Sequence, residues 1–173
     1  MKLFTLLAIF INLSAFSQAE KDWKTLTEDN YTINYPDTWT LNTTGQMGTR
    51  FILFSPKLSS EDKFSENVNL LKQDISAYGL DLDTYSELSE KQLATVITDA
   101  KVIESKRINT GALPYHKLIY TGKQGALNLT FEQYYWVIDG NAYILTFTCE
   151  ESQFDAYKTT GEKILNSFRW VEN

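Results

Sequence analysis

Cysteine, histidine and proline are scarce in this chain: one, one and three in 173 residues. A lone cysteine, Cys149, closes no intramolecular disulfide, so stability has to come from a packed core. His116 and Cys149 together cannot supply the ligands of a closed zinc site. No Gly-x-Ser-x-Gly elbow nominates a serine nucleophile, and no glycine-rich loop is built to cradle phosphate. Positive charge is in deficit too, with 16 Lys and Arg against 22 Asp and Glu, a net of −6. Without a basic cluster, nucleic acid and anionic membrane surfaces are poor partners. Nothing reads as a linker, a repeat or a low-complexity tract.

What is abundant is apolar bulk. Hydrophobic residues make up 43% and aromatic rings 14%, a globular composition of a length that suits one domain. The opening MKLFTLLAIFINLSAFSQAE sets Lys2 before an apolar run from Leu3 to Leu13, then small Ala15 and Ser17. That order is the pattern of a secretory signal peptide. Cleavage is expected after Ser17, with Ala19 the neighbouring option. The run is shorter than the roughly 20 apolar residues of a bilayer span, and no cysteine follows to carry a lipid anchor. Residues 1–17 are therefore expected to be a signal peptide and residues 18–173 a single exported domain, periplasmic or secreted, with no stable membrane insertion.

Along the rest of the chain the hydrophobic period changes twice. Tyr31, Ile33 and Tyr35 alternate with polar residues up to Pro36, which cannot donate to a sheet ladder, and Trp39 follows. This predicts a strand that starts the sheet, with the Trp39 ring pinning the next loop to the core. Thr49–Phe54 and Asn67–Leu71 read as further strands. Over Leu82–Ile97 the spacing becomes three to four, one apolar stripe of a helix with Asp83 as its expected N-cap. Period two then returns in Lys101–Ile108, Pro114–Tyr120, Ala126–Ile138 and Ala142–Cys149, the last two joined by a tight Asp139-Gly140 hairpin. Phe154, Tyr157, Gly161, Ile164, Leu165 and Phe168 mark a final helix, with Ser152 and Asp155 a candidate capping box.

The last hairpin carries bulk on both faces. Leu129, Phe131, Tyr135 and Val137 lie on one side, and Tyr134, Trp136 and Ile138 on the other; Ala142–Cys149 behaves likewise. A sheet wetted on one side would alternate apolar with polar, so both faces must be covered. The expected fold is α+β: an α/β/α sandwich, with a central antiparallel sheet of six or seven strands between helices.

The order TINYPDTW, NVNLL, central helix, GALPYHKLIYTG, EQYYWVIDGNAYILTFT and terminal ILNSF resembles the PsbP-like family over Trp23 to Trp170. That resemblance implies the same α/β/α sandwich. It also implies binding of other proteins, and sometimes of metal ions, rather than a shared catalytic centre. The exported, DcrB-like envelope members are the nearest in type.

Chemistry-bearing residues are few. His116 is read as a half-buried structural imidazole and Cys149 as a packed, inert thiol. Asp81-Leu-Asp83 hints at a calcium loop, but Ser86 stands where glycine is needed and Gln92 where the bidentate glutamate belongs. Glu61-Asp62 and Glu150-Glu151 are expected to be solvated loop charges. Tyr134, Tyr135 and Trp136 are read as core rather than a ligand groove. No catalytic, cofactor-binding or metal-ligating residue is nominated. The expected function is non-enzymatic binding of a protein partner in the bacterial envelope, by a monomer or homodimer. A small-molecule or metal-ion carrier and a hydrolase with a site assembled only in three dimensions remain the alternatives.

Overall fold

The computed structural model describes residues 22–171 apart from Ala112, so the expected leader lies outside the described residues. The strands are β1 (Trp23–Glu28), β2 (Tyr31–Pro36), β3 (Thr40–Asn42), β4 (Thr49–Phe54), β5 (Asn67–Asp74), β6 (Thr98–Ile108), β7 (Tyr115–Gln124), β8 (Leu127–Ile138), β9 (Asn141–Glu150) and β10 (Arg169–Trp170). Helix α1 (Leu82–Val96) lies between β5 and β6, and α2 (Phe154–Ser167) between β9 and β10. Seven strands form one antiparallel sheet in the order β3-β4-β5-β9-β8-β7-β6; the other three form a small sheet ordered β1-β2-β10.

The doubly apolar hairpin sits where its pattern demands. β8 and β9 are inner strands, paired from Leu129–Glu150 to Ile138–Asn141. Asp139 (φ 48°) and Gly140 (φ 70°) close the turn, the two positive angles that a two-residue hairpin loop requires. Tyr134 and Trp136 are only 4% and 6% exposed. They share one core with Phe51, Leu53, Leu145 and Phe147, capped by Ile164, Leu165 and Phe168 from the α2 segment and by Tyr31, Ile33 and Tyr35 of β2. The opposite face carries Leu118, Tyr120, Leu129, Phe131, Tyr135 and Ile144 beneath Leu82 and Leu93 of α1.

Three local expectations are corrected. The strand ending in Pro36 does not start the main sheet; it is the middle of the small one, between β1 and β10. One layer of the sandwich is thus α2 plus a three-stranded sheet, because β2 turns its tyrosines onto the main sheet instead of pairing with its edge. Trp39 is buried as expected, edge-on to Tyr157 at 6.5 Å. Helix α1 is capped by Asp81, which accepts from the Thr84 backbone N–H at 2.8 Å, and not by Asp83. Asp83 instead lies in the first turn and meets Arg107 at 2.6 Å. No Ser152–Asp155 box forms: Glu151–Gln153 is a short 3₁₀ turn and the N-cap of α2 is Gln153, without a side-chain bond.

Gly161 sets how closely α2 approaches the sheet. A Cβ there would stand 2.5–2.6 Å from three ring atoms of Phe147, a side chain with no exposure and hence no room to retreat. Gly161→Ala should therefore destabilise the fold. Overpacking of about 1–3 kcal/mol outweighs the helix-propensity gain of at most ~1 kcal/mol. A lower urea midpoint at an unchanged slope would show it.

Candidate functional site

Where the β6–β7 connection meets the end of the chain, aromatic rings from three distant segments line an open cleft of about 320 Å³. Leu113 comes from the β6–β7 connection, Tyr115 from the start of β7, Trp136 from β8, and Phe168, Arg169 and Trp170 from the segment after α2. Trp136 lies at the centre of the ring cluster, 5.5 Å from Tyr115, 5.2 Å from Phe168 and 5.8 Å from Trp170. Trp170 is held by edge contacts to Tyr143 and Phe168 at 4.8 and 5.1 Å, while its indole N–H is buried without an acceptor among the described residues. The Arg169 guanidinium donates to the Asn166 and Phe168 carbonyls at 2.7 Å, capping the end of α2. Leu113 is 36% exposed and Val171, next to Trp170, 42%. The result is an apolar recess with one cation beside it, a shape and chemistry suited to an apolar or aromatic side chain from a partner.

The one histidine is not isolated. His116 Nε2 lies 2.9 Å from Ser105 Oγ, and Ser105 Oγ lies 2.7 Å from Glu90 Oε2. Serine, histidine and acid thus meet, but in the wrong order for nucleophilic catalysis. A hydroxyl has one proton, and a carboxylate is its stronger acceptor, so Ser105 donates to Glu90 and receives the imidazole's Nε2–H. A catalytic base would have to take the serine proton, with the acid behind the histidine. The half-buried imidazole also stacks on Tyr135 at 6.4 Å, a structural placement. Burial lowers its pKa, with the charges of Glu90 and Asp83 pulling the other way.

Cys149 is fully buried. Its thiol is pushed up to about 12, by burial first and then by the negative charges of Glu66 and Glu150. At neutral pH it holds almost no thiolate, so it is unreactive. Glu66 beside it is 1% exposed and accepts from Ser55 Oγ at 3.1 Å.

On the face of the sheet shared with α2 lies a second buried carboxylate, Glu132, 2.9 Å from the Lys117 ammonium. The Tyr134 hydroxyl stands 3.2 Å from the same carboxylate and 3.1 Å from Asn166 Oδ1. Burial alone would lower the Lys117 pKa, but the hydrogen bond and charge of Glu132, with Glu104 and Glu162, hold it above the usual lysine value. The residue pattern along β8 does not reveal this pair, because the two residues belong to different strands. Only the strand register sets Glu132 opposite Ile119 and next to Lys117.

Other carboxylates hold the chain in shape. Asp62 accepts from the Leu58 and Phe64 backbone N–H groups at 3.0 and 3.2 Å, and Asp81 caps α1. Among the described residues, no three His, Cys, Asp or Glu side chains gather around a point that could hold an ion. Nor is any helix among them long and apolar enough to cross a membrane.

A PsbP family model matches residues 21–170 of the chain. Cyanobacterial PsbP (CyanoP) from Synechocystis sp. PCC 6803 is similar in fold, with a TM-score of 0.63 at 14% identity over 95% of this chain and 99% of that one. PA94 of Pseudomonas aeruginosa, a protein of unknown function, is similar with a TM-score of 0.62 at 12% identity, covering 87% and 99%. LpqN of Mycobacterium tuberculosis, involved in cell envelope biogenesis, gives 0.62 at 10% identity, covering 93% and 99%. No curated protein sequence matches the chain.

Two outcomes are expected. Lys117→Met leaves Glu132 charged and buried, and should cost about 3–5 kcal/mol of stability in denaturant melts. His116, whose folded pKa lies below the ordinary 6.5, binds its proton less well folded than unfolded. Its contribution should leave stability undiminished above pH 6.5 and erode it as pH falls below that value. An imidazole NMR titration with a midpoint at or above 6.5 would contradict this; as the one histidine, its signal is unambiguous.

Proposed function

The chain belongs to the PsbP family, and on that premise we propose that it is an exported, non-catalytic binding protein of the bacterial envelope whose aromatic cleft receives a segment of a protein partner. The single observation that carries this is the cleft: Tyr115, Trp136, Phe168 and Trp170 converge on one recess bordered by Arg169 and exposed Leu113. Trp, Tyr and Arg are enriched among the few residues that carry most of the energy of protein contacts. Fold by itself assigns no activity, so the site has to bear the argument.

Three further points support the reading. The first 17 residues have the pattern of a secretory leader, with cleavage after Ser17 or after Ala19. An envelope-biogenesis protein is among the chains of similar fold. The Glu90–Ser105–His116 order gives no activated nucleophile, which tells against the hydrolase alternative. A carrier of small molecules would need an enclosed cavity, whereas the aromatic recess is open to one side.

The test is crosslinking inside the cell. A photoreactive residue at Leu113 should capture one envelope protein reproducibly, and the same residue at Met47, in the turn near the far edge of the sheet, should not. Trp170→Ala, checked for folding by circular dichroism, should reduce the adduct at least about tenfold, as loss of a central ring does. No adduct at Leu113, or one indifferent to Trp170→Ala, would refute the assignment.

A further inference from the structure

Strand β6 is the long open edge of the seven-stranded sheet, with β7 as its one neighbour; the other edge, β3, has three residues. An unpaired edge is a template for another strand. At its middle Val102 and Ile103 are 38% and 59% exposed, where a guarded edge would carry charge. Lys101 beside them takes part in no ion pair among the described residues, although Lys106 and Lys117 each pair with Glu104. We infer that β6 is the contact through which a second copy of this chain adds edge to edge, across a two-fold axis normal to the sheet and passing between Val102 and Ile103.

The register follows from charge. About that axis the segment Ala100–Ser105 opposes itself so that Lys101 of each copy faces Glu104 of the other, and Val102 faces Ile103. In a regular strand this register would fail, because residues three apart point to opposite faces and could not stand side by side across the seam.

Of the two register shifts in β6, between Thr98 and Lys101 and between Val102 and Glu104, the second removes the obstacle. Lys101 pairs with Thr121, Val102 with Tyr120 and Glu104 with Ile119, leaving Ile103 as the extra residue. Thr121 and Ile119 lie on the same face of β7, so Lys101 and Glu104 share a face as well. A bulge ordinarily protects an edge, because a flat strand cannot follow it. A two-fold copy carries the same bulge at the same point, so this edge rejects straight strands and accepts itself. Such an isologous contact closes at two subunits and leaves no further edge of this kind.

Charge reversal with sedimentation equilibrium tests it. The purified protein should form dimers in a concentration-dependent manner. Lys101→Glu and Glu104→Lys each place like charges opposite one another twice, and each should weaken the dimer at least about tenfold. An equimolar mixture of the two variants restores both pairs and should dimerise again, as should the double variant. If Glu104→Lys does not fold, having lost its contacts to Lys106 and Lys117, Ile103→Lys provides the second disruption, and folded monomer is the expected result. A wild-type protein that stays monomeric at every attainable concentration overturns the inference. So does a dimer that Lys101→Glu and Ile103→Lys leave intact, or a mixture of folded charge variants that does not reassociate.

Discussion

The constraint on which this molecule rests is the burial of both faces of one hairpin. β8 and β9 carry buried rings and branched chains on both faces of the sheet, Leu129, Phe131, Tyr135 and Ile144 on one and Tyr134, Trp136, Leu145 and Phe147 on the other. A strand wetted on one face would not do so. Two covering layers follow of necessity. Helix α1 roofs Leu118, Tyr120, Phe131 and Tyr135. Helix α2 and the small sheet roof Tyr134, Trp136, Leu145 and Phe147. With no disulfide to help, the stability of this PsbP-family fold comes from those layers, each aromatic ring in them removing on the order of 150–250 Å² from water.

Charge buried within such a frame has to be matched. Glu132 stands at 0% side-chain exposure and is answered by Lys117, itself 17% exposed. The pair is better understood as a specification of register than as a source of net stability, since removing two ions from water consumes most of their attraction. A one-residue slip of β7 against β8 would turn Lys117 to the opposite face and strand the carboxylate. The Glu90–Ser105–His116 chain does comparable work on the α1 side, tying helix to sheet through hydrogen bonds that leave no free base.

The proposed function falls to the places where the layers end. At one corner the cover is incomplete, and the aromatic core runs out into a recess between the β6–β7 connection and β10. Along one edge the sheet has no neighbour among the described residues, and the exposed strand has a self-complementary order of charges. Both are surfaces on which the proposed recognition rests.

Much of this architecture was legible in the residues. Two-sided strands, helical stripes and the Asp139-Gly140 turn are local patterns whose period reports directly on burial, so the layered sheet, the helix order and the burial of Trp39 and Cys149 could be read without coordinates. Cap choice was less legible, because Asp81 and Asp83 both suit the position and only backbone geometry near Thr84 separates them. The recess could not be read at all. Its walls lie at positions 113–115, 136 and 168–170, and nothing in a linear pattern says that Trp170 will pair beside Tyr31 and so reach Trp136. Sequence alone determined which faces had to be dry, since that depends on side-chain period. Only the tertiary structure decided which strands became edges and which rings were left at the rim, since that depends on how segments far apart in the chain are brought side by side.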